Sequence, residues 1–358
     1  MFKILAINLG STSTKMAYYE DDICINRVTE EHPTEDIVKF PDIMDQHQYR
    51  KEIVEEFLEK NKIDKSSLDS IVSRGGHTKP LEGGVYRVNN EMLLQQASGM
   101  YGRHACDLGS KIAYEMCKDT KAIPLVVDTP VTDEFEPVAR LSGHPLMTRH
   151  SRFHALSHKA TAKRYARENG ISYNEINLIV AHLGGGISVA AHKNGRMIDG
   201  DNALDGDGTF STNRTGALPV GELVKICYSG EYTYDEVKRM LNGEGGLVAY
   251  LGTSDVRTVE KMAETDEKAA LCLEAMIYQV CKEIGAMSTV LCGDVKAILL
   301  TGGIANSKYV VQRIKDRCAF IAPIVVFPGE NEMESLARGA LEALRGEETI
   351  RELTADCI

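Results

Sequence analysis

The sequence contains no Cys-x-x-Cys pair and no histidine spaced to complete a zinc site. Its nine cysteines (Cys24, Cys106, Cys117, Cys227, Cys272, Cys281, Cys292, Cys318 and Cys357) are odd in number and scattered, a pattern that points to reduced core residues and away from a disulfide or zinc framework. No run of 18 or more apolar residues occurs, so no membrane-spanning helix is expected. A basic segment leading into a short apolar one is also missing before the first strand-like run, and a cytoplasmic protein is expected. Positive charge is in short supply: 41 Lys and Arg against 52 Asp and Glu give a formal net charge of -11. Nucleic acid and anionic membrane are therefore not expected as partners, because an acidic field repels polyanions. Any phosphate ligand must be held by local groups.

What is present is ordinary for a globular enzyme, with 43% hydrophobic and 26% charged residues. At 358 residues two domains are expected. No low-complexity linker divides them, but the chain repeats itself. ILAINLGSTSTKMAYYEDDICI (residues 4–25) and LIVAHLGGGISVAAHKNGRMI (178–198) share one design: apolar strand, polar residue, Leu-Gly, small-residue turn, strand, charged turn, strand. Asn8 falls on His182 and Gly10 on Gly184. LDSIVSRGG (68–76) and VKAILLTGGIANS (295–307) repeat a buried strand running into Gly-Gly, in the same order. A duplicated α/β domain explains both echoes.

Helical periodicity lies between these points. RKEIVEEFLEK (50–60) carries Ile53, Val54, Phe57 and Leu58 on one face, and residues 266–292 form a long amphipathic run. Thr233 and Glu236 make a capping box, and a last helix is expected from Asn331 to Leu344, after Pro328 and Gly329 end the strand IVVF. Strands alternating with helices predict mixed sheets covered by helices on both sides.

The stretch NLGSTSTK (8–15) sits between two strands. A turn of small residues leaves backbone N–H groups unpaired and open to close approach, which suits phosphate oxygens. Ser11, Thr12, Ser13 and Thr14 add hydroxyl donors and Lys15 a point charge. It is not a Walker A loop, since GxxxxGK[ST] is absent and a strand follows it. Alone it reads as a polar hairpin turn. With its second copy, HLGGGIS, two such hairpins could face one nucleotide across a cleft.

Eight motifs in order carry a resemblance: Asn-x-Gly-Ser-x-Ser-x-Lys at 8–15, SRGG at 73–76, VVDTPVTDEF at 126–135, FHALSH at 153–158, AHLGGGIS at 181–188, LGTSDVR at 251–257, LTGGIANS at 300–307 and PGENEMESLA at 328–337. The chain resembles the acetate kinase family of the sugar kinase/Hsp70/actin superfamily, and NALDGDGTFS and GGVYRV resemble its butyrate kinase branch. The resemblance implies an α/β protein of two duplicated ribonuclease-H-like (actin-like ATPase) domains around a cleft, 1–148 with 331–358 and 149–330. It implies reversible, Mg2+-dependent phosphoryl transfer from ATP to butyrate or a branched short-chain acid, giving ADP and an acyl phosphate. It also implies a homodimer or larger homo-oligomer. A carboxylate is already an anion at neutral pH and needs no general base. It needs charge relief, because two anions must meet in line.

By the same resemblance Asn8 and Glu332 lie near Mg2+, while Ser11, Ser13 and Lys15 hold phosphate. As alternatives, Glu332 favours a helix N-terminus and Lys15 is a solvated hairpin lysine. His154 matches the position that stabilises the phosphoryl group in flight, and Phe153 resembles a wall of the acyl pocket. His158, four residues on, raises a metal reading, but HALSH lacks the Glu of HExxH and no third ligand is suggested. Asp128, at the end of IPLVVD, would organise metal and phosphates or start the turn before Pro130. His182 with Gly184, Gly185 and Gly186 matches a second phosphate loop, with Gly185 where acetate kinases have Asn. Asp255 and Arg257 match nucleotide contacts, against helix capping as the plain alternative. Gly302, Gly303, Ile304 and Asn306 resemble an adenosine-binding loop. The arginines depart from the pattern: Arg74 directly precedes Gly75, a shifted register, and a second substrate arginine falls on Tyr228, leaving Arg214 of STNRTG as the candidate replacement. Two other functions remain open here: a kinase of a sugar or polyol hydroxyl with Asp128 as base, and a non-catalytic actin-like or chaperone-like nucleotide switch.

Overall fold

The computed structural model describes residues 1–204, 206–329 and 331–355. Cys357, and Glu330 where a return between domains was expected, lie outside the described residues. The chain divides into two compact units, Met1–Thr132 with the stretch from Asn331 on, and Asp133–Glu330. The segment between 133 and the expected crossing at 148 packs in the second unit. There Glu136 N–H donates to the Ile198 carbonyl at 2.9 Å, and Arg140 pairs with Asp133 at 2.6 Å.

The first unit holds a seven-stranded sheet. Its strands are β1 Lys3–Leu9, β2 Ser13–Glu20, β3 Ile23–Glu31, β4 Ser70–Ser73, β5 Val85–Arg87, β6 Ile123–Val127 and, from the far end of the chain, β12 Ile350–Glu352. The second holds five, β7 Asn177–Leu183, β8 Ile187–Lys193, β9 Arg196–Gly200, β10 Ala297–Gly302 and β11 Ile324–Pro328. The order β3-β2-β1-β4-β6 in one is repeated as β9-β8-β7-β10-β11 in the other. In both, three antiparallel strands are followed by two parallel ones. The first unit adds β5 and β12 at one edge. The repeat legible in the sequence is thus a repeat of topology.

Strand alternation decides what each face carries. Leu5, Ile7 and Leu9 of β1 pack with Val54, Phe57 and Leu58 of the helix His47–Lys60, and with Leu108, Ile112 and Met116 of Cys106–Cys117. Ile179, Ala181 and Leu183 of β7 do the same against the helices Glu267–Val290 and Lys308–Cys318. The long helix therefore packs on its own sheet. The opposite face is covered by Glu332–Leu344 in the first unit and by Ala155–Glu168 in the second. The capping box is present: the Thr233 hydroxyl accepts from Glu236 N–H at 3.3 Å, and the Glu236 carboxylate accepts from Thr233 N–H at 2.7 Å. One expectation fails. Cys24, Cys227 and Cys292 are exposed, because Cys24 lies on the outer strand β3, Cys227 ends a helix with no buried residue, and Cys292 sits in a left-handed turn at φ 54°.

The first hairpin is held from beneath by Arg50, which is completely buried. Its guanidinium donates to the carbonyls of Ser11 (3.1 Å) and Ser13 (2.9 Å), the Thr14 hydroxyl (3.0 Å) and the Gln46 amide oxygen (2.9 Å). No carboxylate pairs with it among the described residues, and burial lowers its pKa to about 10, which still leaves it cationic at neutral pH. Because Arg50 donates to Thr14 Oγ1, the hydroxyl proton is free to point at His32 Nε2, 2.9 Å away. Burial first, then Arg50, depress the His32 pKa to about 4.

That depression fixes a sign. Below about pH 6.5 the unfolded chain takes up a proton at His32 that the native state refuses until about pH 4, so this site's contribution to stability is lost as pH falls through that window. The melting temperature of the wild-type protein should therefore fall more steeply from neutral pH to about pH 5 than that of His32→Gln. Parallel curves in differential scanning fluorimetry would contradict this account of the hairpin.

Candidate active site

In the first unit the side chains that the sequence singled out meet at the end of β1. Asn8 lies on the β1 face turned to the helix Glu332–Leu344, and its Nδ2 donates to Glu332 Oε2 at 2.7 Å. The same carboxylate takes Lys15 Nζ at 3.9 Å and Arg74 Nη1 at 3.7 Å. Lys15 reaches it because β2 pairs Lys15 directly with Asn8. Asn8 Oδ1 is buried without a hydrogen-bond partner. An orphaned amide oxygen beside a carboxylate is a donor set for a hard divalent cation, so Asn8 and Glu332 fit the magnesium expected of them.

Arg74 follows β4 on a loop whose glycines are required by close packing. Gly75 has φ 72°, and a Cβ at Gly76 would lie 2.0 Å from Asp107 Oδ1. Asp107 is completely buried and accepts N–H bonds from His77 (2.6 Å) and His104 (2.7 Å). His77, Cys106 and Asp107 offer donor atoms within 4.8 Å of one another, yet the Asp107 oxygens already accept from those amides, which makes this trio a loop clamp. His104 then meets the hairpin, with Nε2 3.2 Å from Ser11 Oγ while Nδ1 accepts from Cys106 N–H at 3.2 Å. Burial, with Arg74 and His77, lowers its pKa, so His104 is a neutral Nε2–H donor to Ser11. Ser13 contributes its carbonyl inward, to Arg50 and Gly10 N–H. Asp128 adopts φ 40°, a left-handed conformation uncommon outside glycine, and its Oδ1 accepts from Gly84 N–H at 2.8 Å.

The second unit builds the matching place from nitrogen. His182 ends β7 on the face turned to the helix Ala155–Glu168, with Nδ1 2.9 Å from Ser157 Oγ. Its ring stacks on that of His154, the residue before the helix, with centroids 4.0 Å apart. Gly184–Gly186 turn between β7 and β8, and the exposed carbonyl corner at Gly185 is braced by the hydroxyls of Ser211 (2.7 Å) and Thr212 (3.2 Å). A Cβ on Gly186 would lie 2.1 Å from Arg214 Nη1 and 3.1 Å from His154 Cε1. Arg214 thus lies beside His154, anchored by Nη1 to the Ala203 carbonyl at 2.9 Å, with Nε buried and unpaired and its pKa lowered by burial. Tyr228 is 87% exposed, away from this cradle. Phe153 is buried, stacked on Phe135 at 6.1 Å and edge-on to His158 at 5.1 Å.

The remaining residues form a separate edge of the unit. Gly302, at φ 90°, comes so close to Leu183 that a Cβ would lie 2.3 Å from its carbonyl oxygen. Ile304 is buried and Asn306 closes the turn onto the Gly303 carbonyl at 3.0 Å. Ser307 donates to Glu260, tying this turn to the helix Val256–Ala263. Asp255 caps that helix, accepting from Arg257 N–H at 3.2 Å, and the exposed Arg257 side chain folds back onto it at 3.0 Å. Capping accounts for both residues in this state.

Sequence reasoning passed over Arg50, His104, Asp107, Ser188 and the Ser211–Thr212 brace. A signal existed for Arg50: positions 50, 54, 57 and 58 share one helical stripe, so a charge stood in an apolar row. Gly76→Ala should cost about 2 kcal/mol in urea denaturation, because the new methyl overlaps a buried carboxylate, whereas Gly185→Ala, with open space around its Cβ position, should be nearly neutral. Equal effects would mean that Asp107 does not fix the Arg74 loop.

The family model described as the Acetokinase family matches residues 138–330. The chain is 51% identical over 347 residues to a probable butyrate kinase of Bacteroides thetaiotaomicron, covering 96% of this chain and 98% of that one. It is 48% identical over 353 residues to butyrate kinase 1 of Clostridium acetobutylicum, covering 98% and 99%. Among solved structures the fold resembles that of Porphyromonas gingivalis acetate kinase, with TM-score 0.78 and 17% identity over 95% of this chain and 99% of that one.

Proposed function

The chain belongs to the acetokinase family, and from that premise we propose that it is a butyrate kinase, reversibly transferring the γ-phosphoryl group of ATP to butyrate or a branched short-chain acid. The observation that carries this reading is the cradle of the second unit. His154, His182 and Arg214 bring ring nitrogens and a guanidinium to the Gly184–Gly186 turn, as an acceptor that is already ionised demands. A hydroxyl acceptor would call for a base, and the expected one, Asp128, has an oxygen engaged by Gly84 N–H. Near-full-length relatives named as butyrate kinases support the same acid class.

In this reading Ser11, Ser13, Lys15 and the Gly184–Gly186 turn hold phosphate oxygens through N–H, hydroxyl and ammonium groups. The Gly302–Asn306 turn and the Asp255–Arg257 helix start hold the nucleoside. His154 and Arg214 meet the charge that spreads over the phosphoryl oxygens during transfer, and Arg74 orients the acid. Phe153 backs the alkyl chain, where each buried CH2 contributes about 0.8 kcal/mol, so acids of neighbouring length should rank in a graded series. Asn8 and Glu332 would hold Mg2+, which when bound offsets charge on the phosphates. Asp128 organises that neighbourhood. Homo-oligomer formation and a cytoplasmic location complete the proposal; among the described residues no helix is long and apolar enough to cross a membrane.

The direct assay combines ATP, Mg2+, butyrate and hydroxylamine and traps acyl phosphate as the hydroxamate. Hydroxamate from butyrate is expected; phosphorylation of a polyol with no hydroxamate from any carboxylate would replace this reading by a hydroxyl kinase. His154→Ala should lower kcat by about 10²-fold or more with little change in nucleotide affinity. Gly186→Ala should displace the Arg214 guanidinium and lower kcat, with a modest fall in melting temperature because the Ala203 carbonyl loses its partner.

A further inference from the structure

Two completely buried histidines of the second unit, His158 and His192, have no part in the chemistry above. A buried imidazole is tolerated when both its nitrogens find partners, and here the partners form a file. Tyr173 Oη lies 2.7 Å from His192 Nδ1. His192 Nε2 lies 3.5 Å from His158 Nδ1, the longest link, with the two rings parallel within 2°. His158 Nε2 is 2.9 Å from Ser188 Oγ, and the same oxygen is 2.8 Å from His154 Nδ1. The secondary structure sets this spacing: Ser188 and His192 point the same way from β8, and His154 and His158 are one turn apart at the start of the helix that covers it.

A neutral imidazole has one N–H and one lone-pair nitrogen, so the two inner histidines share one sense, which the single Ser188 hydroxyl proton carries on when it is donated to His154. Both inner histidines are held neutral. Burial first, then His192 and His182, keep the His158 pKa well below the ordinary imidazole value. Burial, then the Lys159 ammonium, lowers that of His192 to about 3. If the phenol donates to His192, His192 donates to His158, His158 to Ser188, and the serine hydroxyl to His154 Nδ1. The proton of neutral His154 is then on Nε2. In the reverse sense neutral His154 carries its proton on Nδ1 and turns a lone pair outward. The phenol is a better donor than acceptor, and its short contact with His192 Nδ1 favours the first sense. The ring edge beyond Nδ1 runs toward the glycine turn, since His154 Cε1 lies 3.1 Å from the Cβ position of Gly186.

We propose that Tyr173, His192, His158 and Ser188 form a positioning relay that fixes His154 as the Nε2–H tautomer, making it a hydrogen-bond donor to the phosphoryl group. None of the four needs to touch substrate. The effect on turnover rests on the carboxylate kinase reading; the tautomer does not.

Nitrogen-15-labelled histidine in the ligand-free protein, read by long-range proton–nitrogen correlation near neutral pH, tests the sense of the file. His154, His158 and His192 should all appear as Nε2–H tautomers. Tyr173→Phe removes one oxygen; it should release the fixed tautomer of His192 and His158 and lower kcat about tenfold, with KM for ATP and butyrate changed less than about twofold. An Nδ1–H form of His154, His158 or His192 in the wild type overturns the proposal, as does a Tyr173→Phe protein with unchanged kcat. If that variant does not fold, the wild-type spectrum alone decides the sense. The predicted tautomers in a protein that makes no acyl phosphate would uphold the relay and reject the kinase reading.

Discussion

The arrangement depends on one constraint: a strand turns every second side chain to the same face, and one face of each sheet is covered by a helix whose first turn abuts the strand end. Asn8 and His182 occupy that address in their respective units. Asn8 meets Glu332, the first residue of its covering helix, and His182 meets Ser157 and stacks on His154 at the start of its own. A one-residue slip of either strand would turn these groups into the opposite, apolar layer. The apolar layers at Leu5, Ile7 and Leu9 and at Ile179, Ala181 and Leu183 hold the register by the same alternation.

Rigid polar networks do the finer positioning. Arg50 fixes the first turn by its carbonyls, Asp107 fixes the Arg74 loop by its amides, and Ser211 and Thr212 fix the second turn at Gly185. Arg50 and Asp107 are completely buried, so losing a partner leaves a polar group unsatisfied, at about 1–3 kcal/mol apiece. Their common effect is to remove freedom from the loops before any ligand arrives, which lowers the entropy cost of binding.

Much of this was legible in the sequence. The hairpins, both Gly-Gly strand ends, the helix over residues 50–60 and the capping box at Thr233 follow from local pattern, and local pattern survives folding where it agrees with the core. Local convergence was legible where motifs named both partners, as at Asn8 and Glu332, which the fold brings to one hydrogen bond. Contacts between residues far apart in sequence were not legible: His104 reaches Ser11 across 93 positions, and Ser188 reaches His154 across 34. Spacing carries no trace of such pairs. Tyr228 illustrates the opposite hazard, since matching by segment pointed at an exposed surface residue while the guanidinium beside His154 came from Arg214.

The repeated topology has a consequence for how unlike chemical groups come to occupy equivalent places in one chain. At the same address one copy presents amide and carboxylate oxygens and the other presents imidazoles, while the layers beneath are interchangeable in kind. The chemical groups presented at each tip are thus set by a few side chains. Divergence there can exchange oxygen for nitrogen at the surface of a unit without disturbing the scaffold that carries it.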